Sequence, residues 1–185
     1  TYYLRVRAKD NAQNVSTIYS AFTYKYDGTA PGNPGVITVS PSGYTANNSY
    51  TFNWSTDAAD GGSGIAGYQY KTGASSGALS SYSSTITTTY VTIASAAYQD
   101  GANTFYLRTV DTAGNISATP LQATFYYAGS APTAPQTLNV NPLVNSTANS
   151  FAFSWTAPSS YVGSASDLTY CYTVNVLPSA DNCTF

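Results

Sequence analysis

At 185 residues, with 8% charged side chains and a net charge of −2, the chain has no basic run with which to hold nucleic acid or anionic lipid. It contains no histidine, the usual base for a serine or cysteine nucleophile, and two cysteines alone cannot supply the four ligands of a zinc centre. No apolar run reaches the roughly 18 residues of a membrane span, and serine, threonine, asparagine, glycine and tyrosine fill the surface positions.

Residues 2–8 alternate Tyr2, Leu4, Val6 and Ala8 with Tyr3, Arg5 and Arg7, the period of a half-buried strand. Residues 10–14 supply a turn, and residues 15–26 return as a second strand rich in threonine, tyrosine and phenylalanine. This is a closing hairpin without the sheet that should precede it. Residues 28–34 (G-T-A-P-G-N-P) form a short, stiff linker. Strands are then predicted at 35–40, 49–55, 65–71, 72–84, 87–93, 103–110 and 116–127, separated by turn residues and without a helical period. The linker recurs at 129–135, and strands are expected again at 137–141, 150–156 and 168–174.

The order of these elements reflects a repeat with a period of 101 residues. S-Y-T-F-N-W at 49–54 lies over S-F-A-F-S-W at 150–155, D-N-A-Q-N-V-S at 10–16 over D-T-A-G-N-I-S at 111–117, and G-T-A-P at 28–31 over G-S-A-P at 129–132. A fixed period held over such a distance means tandem copies of one folding unit. The expected division is a partial unit at 1–27, a complete one at 28–128 and the first half of another at 129–185. Because Thr1 already lies in a strand pattern and Phe185 closely follows one, the sequence reads as an excerpt of a longer protein.

At these residues the chain resembles the fibronectin type III family and the related immunoglobulin-like repeats of bacterial surface proteins. Trp54 and Trp155, in F-N-W-S and F-S-W-T, are similar to the core tryptophan of the family's second strand. Tyr68 and Tyr70, after G-G-S-G-I-A-G, resemble its third strand, and Phe105 and Leu107 before D-T-A-G-N-I-S resemble its sixth strand and last hairpin turn. The resemblance implies an all-β fold of tandem seven-stranded β-sandwiches, one complete and two partial. It also implies a core of Phe52, Trp54, Tyr68, Tyr70, Phe105 and Leu107, with Trp155 in the next copy. The family's Arg-Gly-Asp triplet is absent, so integrin binding does not carry over.

The aspartates carry the remaining chemistry. Asp57 and Asp60 share one glycine-rich loop and are the calcium candidates, since hard cations collect carboxylate and carbonyl oxygens. The same two, with Asp100 and Asp111, are the only candidates for paired-carboxylate catalysis, although each also suits a turn-capping role. Cys171, placed to face away from a core lined by Tyr170 and Tyr172, is expected to bond across strands to Cys183 in an oxidising compartment. Tyr126 and Tyr127, beside the second linker, are a candidate sugar- or receptor-binding surface; tyrosine in such folds also fills the core edge. Six Asn-x-Ser/Thr triplets match the glycosylation pattern, as composition alone would produce.

The expected function is therefore non-catalytic, with no cofactor unless calcium binds. The chain would serve as a structural spacer in a secreted or cell-surface protein, with neighbouring repeats, surface proteins or carbohydrate as partners. Alternatives are an accessory segment of an extracellular polysaccharide hydrolase, or an adhesin that binds glycans or receptors.

Overall fold

The computed structural model of the chain describes residues 1–74 and 80–177. Its strands are β1 (Tyr2–Val6), β2 (Tyr19–Tyr24), β3 (Ile37–Ser40), β4 (Tyr44–Thr45), β5 (Ser49–Trp54), β6 (Ile65–Ala74), β7 (Tyr90–Ala94), β8 (Gly101–Asp111), β9 (Leu121–Tyr127), β10 (Gln136–Asn141) and β11 (Ala152–Thr156). A short 3-10 turn at Ala165–Asp167 is the only helical element among the described residues, and no helix there is long and apolar enough to cross a membrane.

The middle segment holds two sheets. Strands β3, β5 and β7 form one, in that order, and β4, β9, β8 and β6 form the other. Alternation within S-Y-T-F-N-W turns Tyr50, Phe52 and Trp54 to one face of β5, where all three are buried. They meet Phe105 and Leu107 of β8, Tyr68 of β6 and Phe125 of β9. Tyr70 stacks on Phe105 with ring centroids 5.9 Å apart, at the edge of this core. Two sheets closed on an aromatic layer are a β-sandwich arrangement.

Two predicted strands come out differently. The stretch 72–84 does not form a separate ladder: β6 runs on to Ala74, and residues 75–79 lie outside the described residues. Beyond them, Ser80, Ser83 and Ile86 donate amides to the Thr72, Tyr70 and Tyr68 carbonyls, so the chain follows β6 without a continuous strand. A two-residue strand absent from the prediction, β4, pairs in parallel with β9 instead. The strand expected at 168–174 is not formed either. In the middle segment its counterpart, β6, pairs with β8 along nearly its full length. Among the described residues no strand pairs with 168–174 in this way.

The repeat is visible in the geometry as well as in the sequence. In the β1–β2 hairpin, Tyr2 pairs with Tyr24 and Leu4 with Phe22, as Asn103 pairs with Phe125 and Phe105 with Ala123 between β8 and β9. The Asp10 carboxylate accepts the Asn14 amide at 2.9 Å, and that of Asp111 accepts the Asn115 amide at 2.7 Å. Gln13, standing where the next copy has Gly114, takes a positive φ of 72° against 95° for the glycine. Asparagine-like left-handed geometry is strained for glutamine, so the turn's hydrogen bonds hold it there.

Candidate functional site at the first linker

The first linker is packed onto the middle segment. Pro31 and Pro34 are buried, and the Gly32 amide donates to the Ala59 carbonyl at 2.8 Å. Asn33 accepts from the Thr109 hydroxyl of β8 at 3.2 Å, while its own side-chain amide donates to the Thr119 carbonyl just before β9. Asp27 stands at the head of this linker. Its carboxylate accepts the Thr29 amide at 3.0 Å and the Ser63 amide at 2.7 Å, and a Cβ at Gly62 would run into it. Only glycine lets the backbone of the Asp60 loop come so close.

Two further carboxylates converge on the same place. Asp60 accepts the Gly62 and Gly64 amides at 3.1 and 2.6 Å through Oδ2. Asp111, buried at the end of β8, accepts both the amide and the side-chain amide of Asn115, and that side chain also donates to the Asp27 carbonyl at 3.2 Å. One oxygen from each of Asp27, Asp60 and Asp111 lies within 4.8 Å of the other two. Asp60 Oδ1 is fully enclosed and has no hydrogen-bond donor among the described residues.

The Thr29 amide, followed by the Ser63 hydroxyl and amide, holds the Asp27 carboxyl below the usual carboxylate range. Asp27 therefore stays ionised at neutral pH, and the convergence has the donor chemistry of a hard-cation site. No histidine or thiolate is nearby to favour a softer metal.

Asp57, the loop partner expected for Asp60, is elsewhere. Its carboxylate accepts the Gly35 amide at 2.9 Å and the Ser55 hydroxyl, which fastens the start of β3 to the end of β5. Asp100 and Asp111 sit at opposite ends of β8 and so do not form a pair. Asp27 escapes a reading of the sequence, and Asp111, a candidate carboxylate there, is not placed beside Asp60 by it, because each has a sufficient local role. Asp27 caps its own turn and Asp111 opens the D-T-A-G-N turn; nothing in the spacing says that the two turns meet. At the repeat offset, Asp27 and Asp60 are replaced by Ala128 and Tyr161, so the second linker lacks these acids.

The other candidate residues are dispersed. Tyr126 and Tyr127 are neighbours on one strand, so their side chains leave opposite faces. Tyr126 packs on Tyr44 with centroids 5.0 Å apart, and the Tyr127 hydroxyl sits over Gly129. Cys171 lines an apolar cleft with Tyr170 and Trp155, where an outward direction was expected, and Tyr172 is largely exposed. With no strand formed at 168–174, the expected alternation of faces is lost. Cys183 lies outside the described residues. A surface cluster not singled out from the sequence joins β6 to β8: Arg108 lies 3.8 Å from the Tyr82 ring centre and donates to Gln69, and Lys71 lies 4.7 Å from the same ring.

The chain matches no protein-family model, and no curated protein matches it.

Proposed function

We propose that the chain is a non-catalytic spacer segment of tandem fibronectin-III-like sandwiches in a secreted or cell-surface protein, holding other domains or an adhesive surface at a distance. The observation that carries this reading is where the two linkers attach. Asp27 is tied to the Asp111 end of β8 through Asn115. Gly129 is tied to the opposite end, donating its amide to Asp100 at 2.7 Å. Eleven residues of extended strand separate those ends, roughly 35 Å at the usual rise. A unit that admits the chain at one pole and releases it at the other stacks lengthwise, so each copy adds length. Duplicating residues 28–128 within the chain should therefore extend the particle by roughly 35–40 Å in small-angle scattering. A particle that widens without lengthening would overturn the reading.

A second reading concerns the first joint, where Asp27, Asp60 and Asp111 would take a calcium ion that ties the linker to the middle segment. The enclosed Asp60 Oδ1, which meets no donor among the described residues, favours it, because a buried carboxylate oxygen without a donor is costly unless a cation or proton meets it. Titration calorimetry with calcium, on the chain and on its Asp60→Asn variant, tests this. Binding to the first and not the second is expected; equal heats, or none from either, would remove the site.

A further inference from the structure

Both cations of the middle segment stand on one face of one sheet. Residues 28–128 carry two bases, Lys71 and Arg108, and four acids. Alternation along β8 turns Phe105 and Leu107 into the core and leaves Tyr106 and Arg108 on the outer side. The β6–β8 ladder sets Gln69 opposite Arg108 and Lys71 opposite Tyr106. Tyr82, on the stretch that follows β6, meets both cations. Its ring centre lies 3.8 Å from the Arg108 guanidinium carbon and 4.7 Å from Lys71 Nζ, which is also 5.3 Å from the centre of the Tyr106 ring. The four acids are engaged elsewhere: Asp57 with Gly35, Asp60 and Asp111 at the first linker, and Asp100 with Gly129 at the far end of β8.

The arginine is oriented without being neutralised. Gln69 Oε1 accepts from Arg108 Nε at 2.9 Å and from Nη2 at 2.6 Å, and Gln69 Nε2 in turn donates to the Thr85 hydroxyl at 3.0 Å. Gln69 thus fixes the rotation of the guanidinium, while the Tyr82 ring supports its plane. Both partners are neutral, and among the described residues no acid pairs with Arg108 or Lys71. Two of the five N–H groups of the arginine are spent on Gln69. Those that remain include the Nη1–Nη2 edge, which matches a carboxylate in shape. A glutamate in place of Gln69 would hold the same geometry and cancel the charge; glutamine keeps the charge for a ligand.

We propose that this face binds an acidic polysaccharide, a chain of sugars that carry carboxylates. Arg108 takes one carboxylate through its unspent edge, and Lys71 draws in the charge of the next sugar. Tyr106 offers its ring to the apolar C–H face of a sugar. Beyond it, the exposed Gln122 and Thr124 of β9, opposite Tyr106 and Thr104, receive hydroxyls. The sign of the ligand follows from charge complementarity, and its class from charge density. Duplex DNA carries roughly one charge per 1.7 Å, far more than two cations can match. A polyuronate spaces its carboxylates one to a sugar and fills the intervals with hydroxyls, which suit the neutral amides and hydroxyls around Arg108 and Lys71. An acidic peptide is the competing occupant. The proposal does not rest on the spacer reading, because the face belongs to the middle segment alone.

Titration calorimetry on the whole chain tests it, with oligogalacturonate, oligoglutamate of equal charge and neutral dextran oligosaccharide as probes. A chelator in the buffer keeps divalent cations off both the uronate and the linker aspartates. Saturable binding of oligogalacturonate in the millimolar range or tighter is expected, with oligoglutamate clearly weaker and no heat from dextran. Residues 1–26 carry four further bases, so the location of the site is read from substitutions. Arg108→Gln and Lys71→Gln should each weaken binding by roughly tenfold or more. Gln69→Glu should weaken it as much while its denaturation midpoint equals or exceeds that of the unaltered chain, an outcome that a merely structural role for the cluster does not produce. Oligogalacturonate that gives no saturable binding, binds no better than oligoglutamate or dextran, or binds Gln69→Glu as tightly as the unaltered chain would overturn the proposal.

Discussion

The rings of Phe52 and Phe105 lie face to face, with centroids 4.0 Å apart and planes 7° from parallel, and this pair joins the two sheets of the middle segment at its centre. Each ring is fully buried, and Trp54 and Phe125 close around them. Phe105→Ala should cost about 3–5 kcal/mol, as should Trp54→Ala beside it. A double-mutant cycle between Phe52 and Phe105 should show about 0.5–1.5 kcal/mol of coupling beyond buried area. Chemical denaturation followed by far-ultraviolet circular dichroism gives both values; a loss under about 1 kcal/mol for either single change would show that the core is arranged otherwise.

Tyr50 closes the same core with a polar tip, donating its hydroxyl to the Tyr126 carbonyl at 2.6 Å. Tyr50→Phe removes the donor, strands a carbonyl and should cost about 1–2 kcal/mol. Burial, then proximity to Tyr127, pushes the Tyr50 hydroxyl above the ordinary tyrosine range. The neutral form's contribution is therefore complete below pH about 10 and is lost as pH rises through the raised value. A base titration of stability should fall less steeply in Tyr50→Phe, with Tyr68, raised mainly by burial, accounting for part of what remains. An unchanged slope would contradict the assignment.

The linker carboxylates set the acid limb. Asp27 is held low chiefly by the Thr29 amide, and Asp100 by the Ser130 hydroxyl and then the Gly129 amide. Depressed carboxyls stabilise the folded state in full above the ordinary range near pH 4, and that contribution is lost as pH falls from there through the lowered values. The amides of Thr29, Ser63 and Gly129 should therefore lose exchange protection on acidification before those of β5 and β8. Simultaneous loss across all of them would show that the linkers are not separately fastened.

Gly67 has a φ of 155°, and a Cβ there would strike the Ile86 carbonyl. That carbonyl accepts the Tyr68 amide at 2.8 Å, and the Ile86 amide is donated back to Tyr68 at 2.9 Å. Gly67→Ala should cost about 1–3 kcal/mol and release this edge of β6. Hydrogen exchange at Tyr68 and Ile86 checks it; protection equal to that of the unaltered chain would mean the backbone can yield without loss.

Much of the fold is legible in the sequence because its causes are local. Alternation in S-Y-T-F-N-W decides which face of β5 is buried, and the Asp and Asn at either end of D-x-x-x-N close the same turn at Asp10 and Asp111 through bonds spanning four residues. Such features repeat wherever the letters repeat. The same alternation puts Phe52 and Trp54 on one face of β5, whereas Tyr68, Tyr70, Phe105 and Leu107 were expected in the core only from the family resemblance.

What the tertiary structure alone decided is which local features meet. Asp57 and Asp60 are near in sequence yet serve different contacts, whereas Asp27, Asp60 and Asp111, each explicable as a turn former, arrive at one point because the linker folds back over two loops. The stretch 168–174 has a strand's pattern, yet it joins no sheet among the described residues, whereas its counterpart β6 is a strand because it pairs with β8. Trp54 and Trp155 occupy equivalent places in nearly the same six letters, and only Trp54 is fully buried. Periodicity determines which side of a strand is apolar; whether that side is covered depends on a second sheet contributed from far along the chain.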